Sequence, residues 1–141
     1  MADKAGGAVR AEAWAQLAAG TGRVAISVQA FEDWRSASGS DERRAQLLLA
    51  ALDGLGALSG SGWDDLKAEL LPRAANSWTR SIDQAAAAGR QGEVLMLAAI
   101  GLQGGWTDVP PLHLRHIVAT LARTGRLAEA RLIAAEALTR A

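Results

Sequence analysis

Apolar residues recur along this chain at the spacing of a helix face. Val24, Val28 and Phe31 stand at positions i, i+4 and i+7, which places them on one side of a helix. In the segment before them, Trp14 and Leu17 are predicted to face inward. The apolar spacing and its glycine breaks predict eight helices, at about residues 9–19, 24–34, 41–55, 63–71, 77–88, 92–103, 110–124 and 127–140.

Polar residues and prolines mark several predicted helix ends. Ser40 or Asp41 is suited to cap the third helix, and Asn76 or Ser77 the fifth, because their side-chain oxygens can accept bonds from free backbone N–H groups. Pro72 is predicted to close the fourth helix.

One segment is also compatible with a strand. Residues 24–28 alternate between larger apolar and small side chains, as a half-buried strand does. We predict a helix there because the chain offers no second segment for such a strand to pair with. The predicted fold class is therefore all-α.

Two segments near the C-terminus repeat each other at an offset of 36 residues. Residues 89–102 and 125–138 align without a gap and share an initial Gly-Arg, a Glu, an Ala-Ala pair and a final Leu. Glycine at the turn can supply the left-handed residue that ends a helix, and alanines allow two helices to approach closely. This period is typical of stacked helical hairpins.

The repeat resembles the tetratricopeptide-like (TPR-like) helical hairpin over residues 75–102 and 111–138. The residues that carry the resemblance are Trp78, Ala85, Gly89 and Leu102 in the first window and Leu114, Ile117, Leu121, Gly125, Leu127, Ala130, Ala137 and Leu138 in the second. The resemblance implies stacked antiparallel hairpins in an α-solenoid or right-handed superhelical array. An ordinary helical bundle with a chance similarity is the alternative.

In such arrays the first helices of successive hairpins line a concave groove that binds a partner. The corresponding residues here are Asn76, Thr79, Asp83, Arg115, Ala119 and Arg123. Trp106 follows two glycines in a loop, and an exposed loop tryptophan is a frequent binding anchor.

Length and end sequences bound the organisation. A chain of 141 residues predicts one domain, with residues 1–7 disordered and residues 75–138 the clearest repeat pair. No signal-peptide pattern is present, which predicts a cytoplasmic protein, or a periplasmic one if the sequence is a fragment. The longest uncharged stretch, residues 94–107, has 14 residues, fewer than the roughly 20 of a membrane span. Thirteen arginines against two lysines suggest a GC-rich, bacterial source.

Charge argues against a nucleic-acid partner. Lys+Arg and Asp+Glu are both 15, so the basic excess typical of nucleic-acid-binding domains is missing. The charge is uneven, since residues 1–70 carry 7 basic and 10 acidic side chains and residues 71–141 carry 8 and 5. This asymmetry would suit contact between the two halves or between copies, although solvated helix faces are the better explanation.

Two histidines are the candidate chemistry. His113 and His116 stand at i, i+3 with Asp108 a turn earlier, a set that could hold zinc. The i, i+4 histidines and glutamate base of a zinc protease helix are lacking. With no cysteine in the chain, thiolate ligands and cysteine nucleophiles are also excluded. We predict no catalytic residue, no metal site and no cofactor.

The sequence therefore predicts a non-catalytic protein-interaction or scaffolding module, either complete or as one segment of a larger solenoid. The expected partner is another protein or peptide, or other copies or segments of the same solenoid. The alternative is a small enzyme or metal-binding protein that uses His113 and His116.

Overall fold

The computed structural model describes residues 2–21, 25–39, 41–71, 76–103, 105–106 and 108–140. Eight helices account for most of this part of the chain, and it contains no strand beyond a single isolated bridge. The predicted all-α class is confirmed. The helices are α1 (Ala2–Thr21), α2 (Val28–Ser38), α3 (Glu42–Gly54), α4 (Trp63–Leu70), α5 (Ser77–Ala87), α6 (Gln91–Gly101), α7 (Pro111–Arg123) and α8 (Leu127–Arg140).

Helix α1 differs from its prediction at both ends. It begins at Ala2, so residues 2–7, predicted to be disordered, lie within the helix. Alanine and lysine are strong helix formers, and they allow the alanine-rich segment that follows to extend toward the N-terminus. Leu17, predicted to face inward, is 63% exposed.

Helix α2 begins at Val28 and not near Val24. Ser27 is its N-cap, and its Oγ accepts a hydrogen bond from the backbone N–H of Ala30 at 3.2 Å. Just before the cap, Ile26 forms an isolated parallel bridge with Leu58. The strand alternative is therefore realised at one residue only. Val24, Ser40 and Pro72, to which the sequence assigned core or helix-end roles, lie outside the described residues.

The two repeat-like hairpins turn in the same way. Gly89 and Gly125 have φ of 71° and 86°, the left-handed region in which glycine carries no steric penalty. In the first turn Arg90 N–H bonds to Ala85 O at 2.9 Å, and in the second Arg126 N–H bonds to Leu121 O at 2.8 Å. Both are the six-residue bond of a Schellman ending. The predicted role of these glycines is confirmed.

Helix α7 lies at the centre of the packing. It contacts α5 and α6 through one side, α8 through the hairpin and α3 through another side. Helix α3 also contacts α8, and α1 packs against α2, α3 and α8. Two N-terminal helices therefore join the C-terminal hairpin: α1 contacts α8, and α3 contacts both α7 and α8.

The core combines aliphatic side chains with a few tryptophans. Phe31 lies between Trp34 and Trp63, with ring centroids 5.6 and 5.8 Å away. Trp78 donates from Nε1 to Leu97 O at 3.0 Å and lies against Gly101. These three tryptophans fill gaps between helices, as large side chains in an alanine-rich protein are expected to do. Of the described helices, none combines the length and apolar character that a membrane crossing requires.

Candidate functional site

The predicted concave groove does not form as a single surface, because Asn76 and Asp83 contact histidines of α7 and Thr79 is buried. Thr79 is buried, at 1% exposure, and its hydroxyl completes the capping box with Asn76 at the start of α5. Asp83 Oδ1 lies 2.9 Å from His116 Nδ1, and Asn76 Nδ2 lies 3.3 Å from His113 Nε2. Thr79 therefore cannot line a groove, since helix capping uses its side chain.

The two predicted groove arginines lie elsewhere on α7. Successive residues of a helix point about 100° apart, so Arg115 and its neighbour His116 face different helices. Arg115 forms an ion pair with Asp53 of α3. Arg123 is exposed in the last turn of α7, and Ala119 is half-buried.

Trp106 is not the exposed anchor that its loop position suggested. Its side chain is half-buried and packs against the core. Its backbone carbonyl accepts a hydrogen bond from Arg43 Nη2 at 2.6 Å, and the same nitrogen also donates to Val109 O at 2.9 Å. Arg43 therefore fastens this loop to α3.

Each of the two histidines already has a protein partner. The ring of His113 lies 4.5 Å from the Trp78 ring, centroid to centroid. Burial lowers the pKa of His113, and the neighbouring His116 lowers it further. His116 is oriented by Asp83, an arrangement that can prepare an imidazole for proton transfer. In the described part of the chain, no three His, Asp or Glu side chains group as metal ligands would.

A different surface opens between α4 and α7. A cavity of about 440 Å³ lies there, with charged walls from Asp53, Asp64, Lys67 and Arg115 and apolar walls from Ala68, Leu71 and Leu112. A second cavity of about 260 Å³ also borders Leu71 and Leu112. Its other walls are mainly Leu70, Pro110, Pro111, Asn76 and His113. We call the two together the α4–α7 groove, with a charged end and an apolar end.

The charged end is organised around the carboxylate of Asp53. Its side chain is 13% exposed, with Lys67 Nζ 3.0 Å from Oδ1 and Arg115 Nε 2.5 Å from Oδ2. Burial alone would raise the pKa of Asp53, but the hydrogen bonds and positive charges of Arg115 and Lys67 outweigh it and lower the pKa. Asp53 therefore stays ionised and holds both cations at the groove.

Gly54 makes this geometry possible. A Cβ at this position would lie 2.9 Å from the backbone oxygen of Arg115 and 3.0 Å from Val118 Cβ. Only glycine permits α3 to approach α7 so closely without a shift of either helix. The adjacent carboxylate of Asp53 can then reach the Arg115 side chain.

Sequence reasoning found Arg115 and Asn76 but missed the other groove residues. Asp53, Lys67, Leu71 and Leu112 carry no motif, and Asp64 lies in the first turn of α4, where an acidic residue is favourable without any binding role. The available signal was weak: an Asp-Gly pair ends α3, and Lys67 is one of only two lysines.

A further apolar surface lies on α6. Met96 and Ile100, four residues apart, are 58% and 47% exposed. Helix α6 has no strongly polar face, because its sequence between Glu93 and Gln103 has no charged or polar side chain.

Comparison of the chain with protein-family models, with curated proteins and with solved structures gives no match. The resemblance to the TPR-like hairpin accordingly remains a prediction from residues and turn geometry.

Proposed function

We propose that this protein is a non-catalytic interaction module that binds a protein or peptide segment in the α4–α7 groove. The observation that carries the proposal is that the two cavities of the groove adjoin: Leu71 and Leu112 border both of them. A charged end joined to an apolar end suits an extended segment that presents both kinds of side chain.

The hairpin arrangement supports the finer proposal of a TPR-like stack. Helix α7 contacts both helices of the preceding hairpin, α5 and α6, as well as its own partner α8. Each hairpin of a solenoid packs on its neighbour in this manner. Helix α3 packs instead on α7 and α8, so the proposed stack consists of the two C-terminal hairpins, with α3 packed against the second of them.

The enzyme alternative has less support. It depends on the bond between His116 and Asp83, which orients one imidazole. Covalent catalysis by such a pair also requires a nucleophile within hydrogen-bond reach of the imidazole. Thr120, the nearest hydroxyl in sequence, donates to the backbone oxygens of His116 and Ile117 instead. The pair is explained by the contact it makes between α5 and α7.

A variant that fills the groove without altering its charges tests the proposal. Ala68 is exposed and borders the charged cavity, so Ala68→Trp should obstruct the groove and leave the fold intact. Ala87→Trp, at an exposed alanine of α5 outside the groove, is the matched control. Thermal melting verifies that both variants fold.

The assay is affinity capture from the native host followed by reconstitution with purified components. We expect a protein that the parent and Ala87→Trp retain and Ala68→Trp loses, and whose purified form binds the parent at least about tenfold more tightly than Ala68→Trp. If parent and Ala68→Trp bind the same proteins equally, the groove is not the interaction surface.

A further inference from the structure

We infer that the charged end of the α4–α7 groove binds a carboxylate of the partner peptide, and that an adjoining apolar side chain enters the apolar end. The inference rests on the proposed function and adds the chemistry of the ligand. It assigns Lys67 and Arg115 as the recognition residues and Asp53 as the group that positions them.

Both cations retain unused hydrogen-bond donors. Arg115 reaches Asp53 through Nε alone, so its two Nη groups have no partner among the described residues. A lysine ammonium has three donors, and Lys67 directs one to Asp53. Their side chains are 31% and 34% exposed and both border the cavity. Planar arginine donors match a carboxylate especially well.

The charges on the cavity wall favour a carboxylate over a phosphate. Lys67 and Arg115 are balanced there by two acidic side chains, Asp53 and the exposed Asp64. A phosphate group would add nearly two further negative charges at neutral pH, whereas a carboxylate adds one. The less charged anion is therefore the better match.

The walls beyond the charges define the rest of the ligand. Leu71 and Leu112 border both the charged cavity and the apolar one, which Leu70, Pro110 and Pro111 also border. A residue whose apolar side chain lies next to a carboxylate would fill both ends at once. Leucine at a peptide C-terminus, or leucine beside glutamate, has this arrangement.

Small probes test the inference directly. N-acetyl-leucine carries the carboxylate and the apolar side chain, and N-acetyl-leucinamide lacks only the charge. We follow amide chemical shifts by NMR and expect saturable shifts at residues 64–71 and 112–115, with the free acid bound at least about tenfold more tightly than the amide. Equal affinity for acid and amide, or shifts confined to other residues, would overturn the inference.

Variants locate the binding contacts. Lys67→Gln leaves Arg115 in place to pair with Asp53, and Arg123→Gln removes an exposed arginine of α7 outside the groove. We expect Lys67→Gln to weaken N-acetyl-leucine several-fold and Arg123→Gln to leave it unchanged. Ala68→Trp should abolish binding with the charges intact, whereas Ala87→Trp should not. Unaltered binding in both Lys67→Gln and Ala68→Trp would contradict the assignment.

Two peptides distinguish the source of the carboxylate. N-acetyl-Ala-Leu with a free C-terminus presents a terminal carboxylate, and N-acetyl-Leu-Glu amide presents a side-chain carboxylate. Binding of either one supports the inference and identifies the source, while failure of both overturns it. If a captured protein binds in an Ala68→Trp-sensitive way without dependence on a carboxylate, the proposed function stands and only the ligand chemistry fails.

Discussion

Replacement of Gly54 by alanine should destabilise the protein, although alanine is the better helix former. The added Cβ would lie 2.9 Å from Arg115 O and 3.0 Å from both Cβ and Cγ1 of Val118. Favourable carbon contacts need about 3.5–4.0 Å. None of these neighbours is the end of a flexible side chain, so α3 and α7 would have to separate.

The magnitude follows from two opposing effects. Overpacking of a well-packed contact costs about 1–3 kcal/mol, and the gain in helix propensity is at most about 1 kcal/mol. The gain is smaller here because Gly54 is the last residue of α3. We expect a net loss of about 1–2 kcal/mol, which lowers Tm by about 3–6 °C in a domain of this size.

Gly92→Ala is the matched comparison. Gly92 lies in α6, and a Cβ added there would have no neighbouring atom within 4 Å, so the substitution should stabilise the protein by up to about 1 kcal/mol. Calorimetric melting of the parent and both variants measures the two signs. If both alanines raise Tm, α3 and α7 do not approach at Gly54 and the geometry derived for Asp53 and Arg115 is wrong.

Three further results are expected. Since the folded-state pKa of Asp53 is lowered, the stability that its carboxylate gives the fold is present above its ordinary pKa of 3.8 and is lost as pH falls below that value. In denaturant unfolding, Asp53→Asn should therefore have a smaller free energy of unfolding than the parent at neutral pH, and the difference should shrink in acid. NMR titration should give His113 a pKa below 6.5. In His116→Gln this pKa should rise only part of the way to 6.5, because burial lowers it more than the neighbouring histidine does. A full return to 6.5 would show that His116 is the larger cause. Calorimetry should show no submicromolar zinc binding; tight binding that His116→Ala abolishes would favour the metal-protein alternative.

Local signals explain why helix number and turn positions could be predicted from the sequence. Gly89 and Gly125 end their helices through backbone conformation alone, and Asp41 caps α3 by a bond to an N–H three residues away. Such interactions lie within a few residues of each other, so a single sequence contains them. The bridge between Ile26 and Leu58, which comes just before the cap of α2, joins residues 32 positions apart, and no local pattern could show it.

The α4–α7 groove depends on which way each helix is turned, and the sequence pattern does not show this. The solenoid assignment put Arg115 and Asp83 in one groove, whereas in the structure His116 faces α5 and the neighbouring Arg115 faces α3. The rotation is fixed by the packing of α3 against α7, which requires Gly54 and joins residues more than 60 positions apart. The prediction for Thr79 was wrong for a local reason. Its side chain, which the sequence assigned to a binding groove, takes part in the capping box at the start of α5.

The Lys67–Asp53–Arg115 cluster would serve either as a structural clamp between α3, α4 and α7 or as the head of a binding site, and the two roles make different demands. A clamp requires only that the carboxylate be paired, which Arg115 alone can achieve. The second cation, Lys67, has Asp64 on the same cavity wall to balance its charge, so charge alone does not distinguish the two roles. The unused donors of Lys67 and Arg115 border a cavity that adjoins an apolar one. A clamp leaves these donors without an acceptor, whereas a ligand carboxylate would accept hydrogen bonds from them, so binding explains a feature that clamping does not.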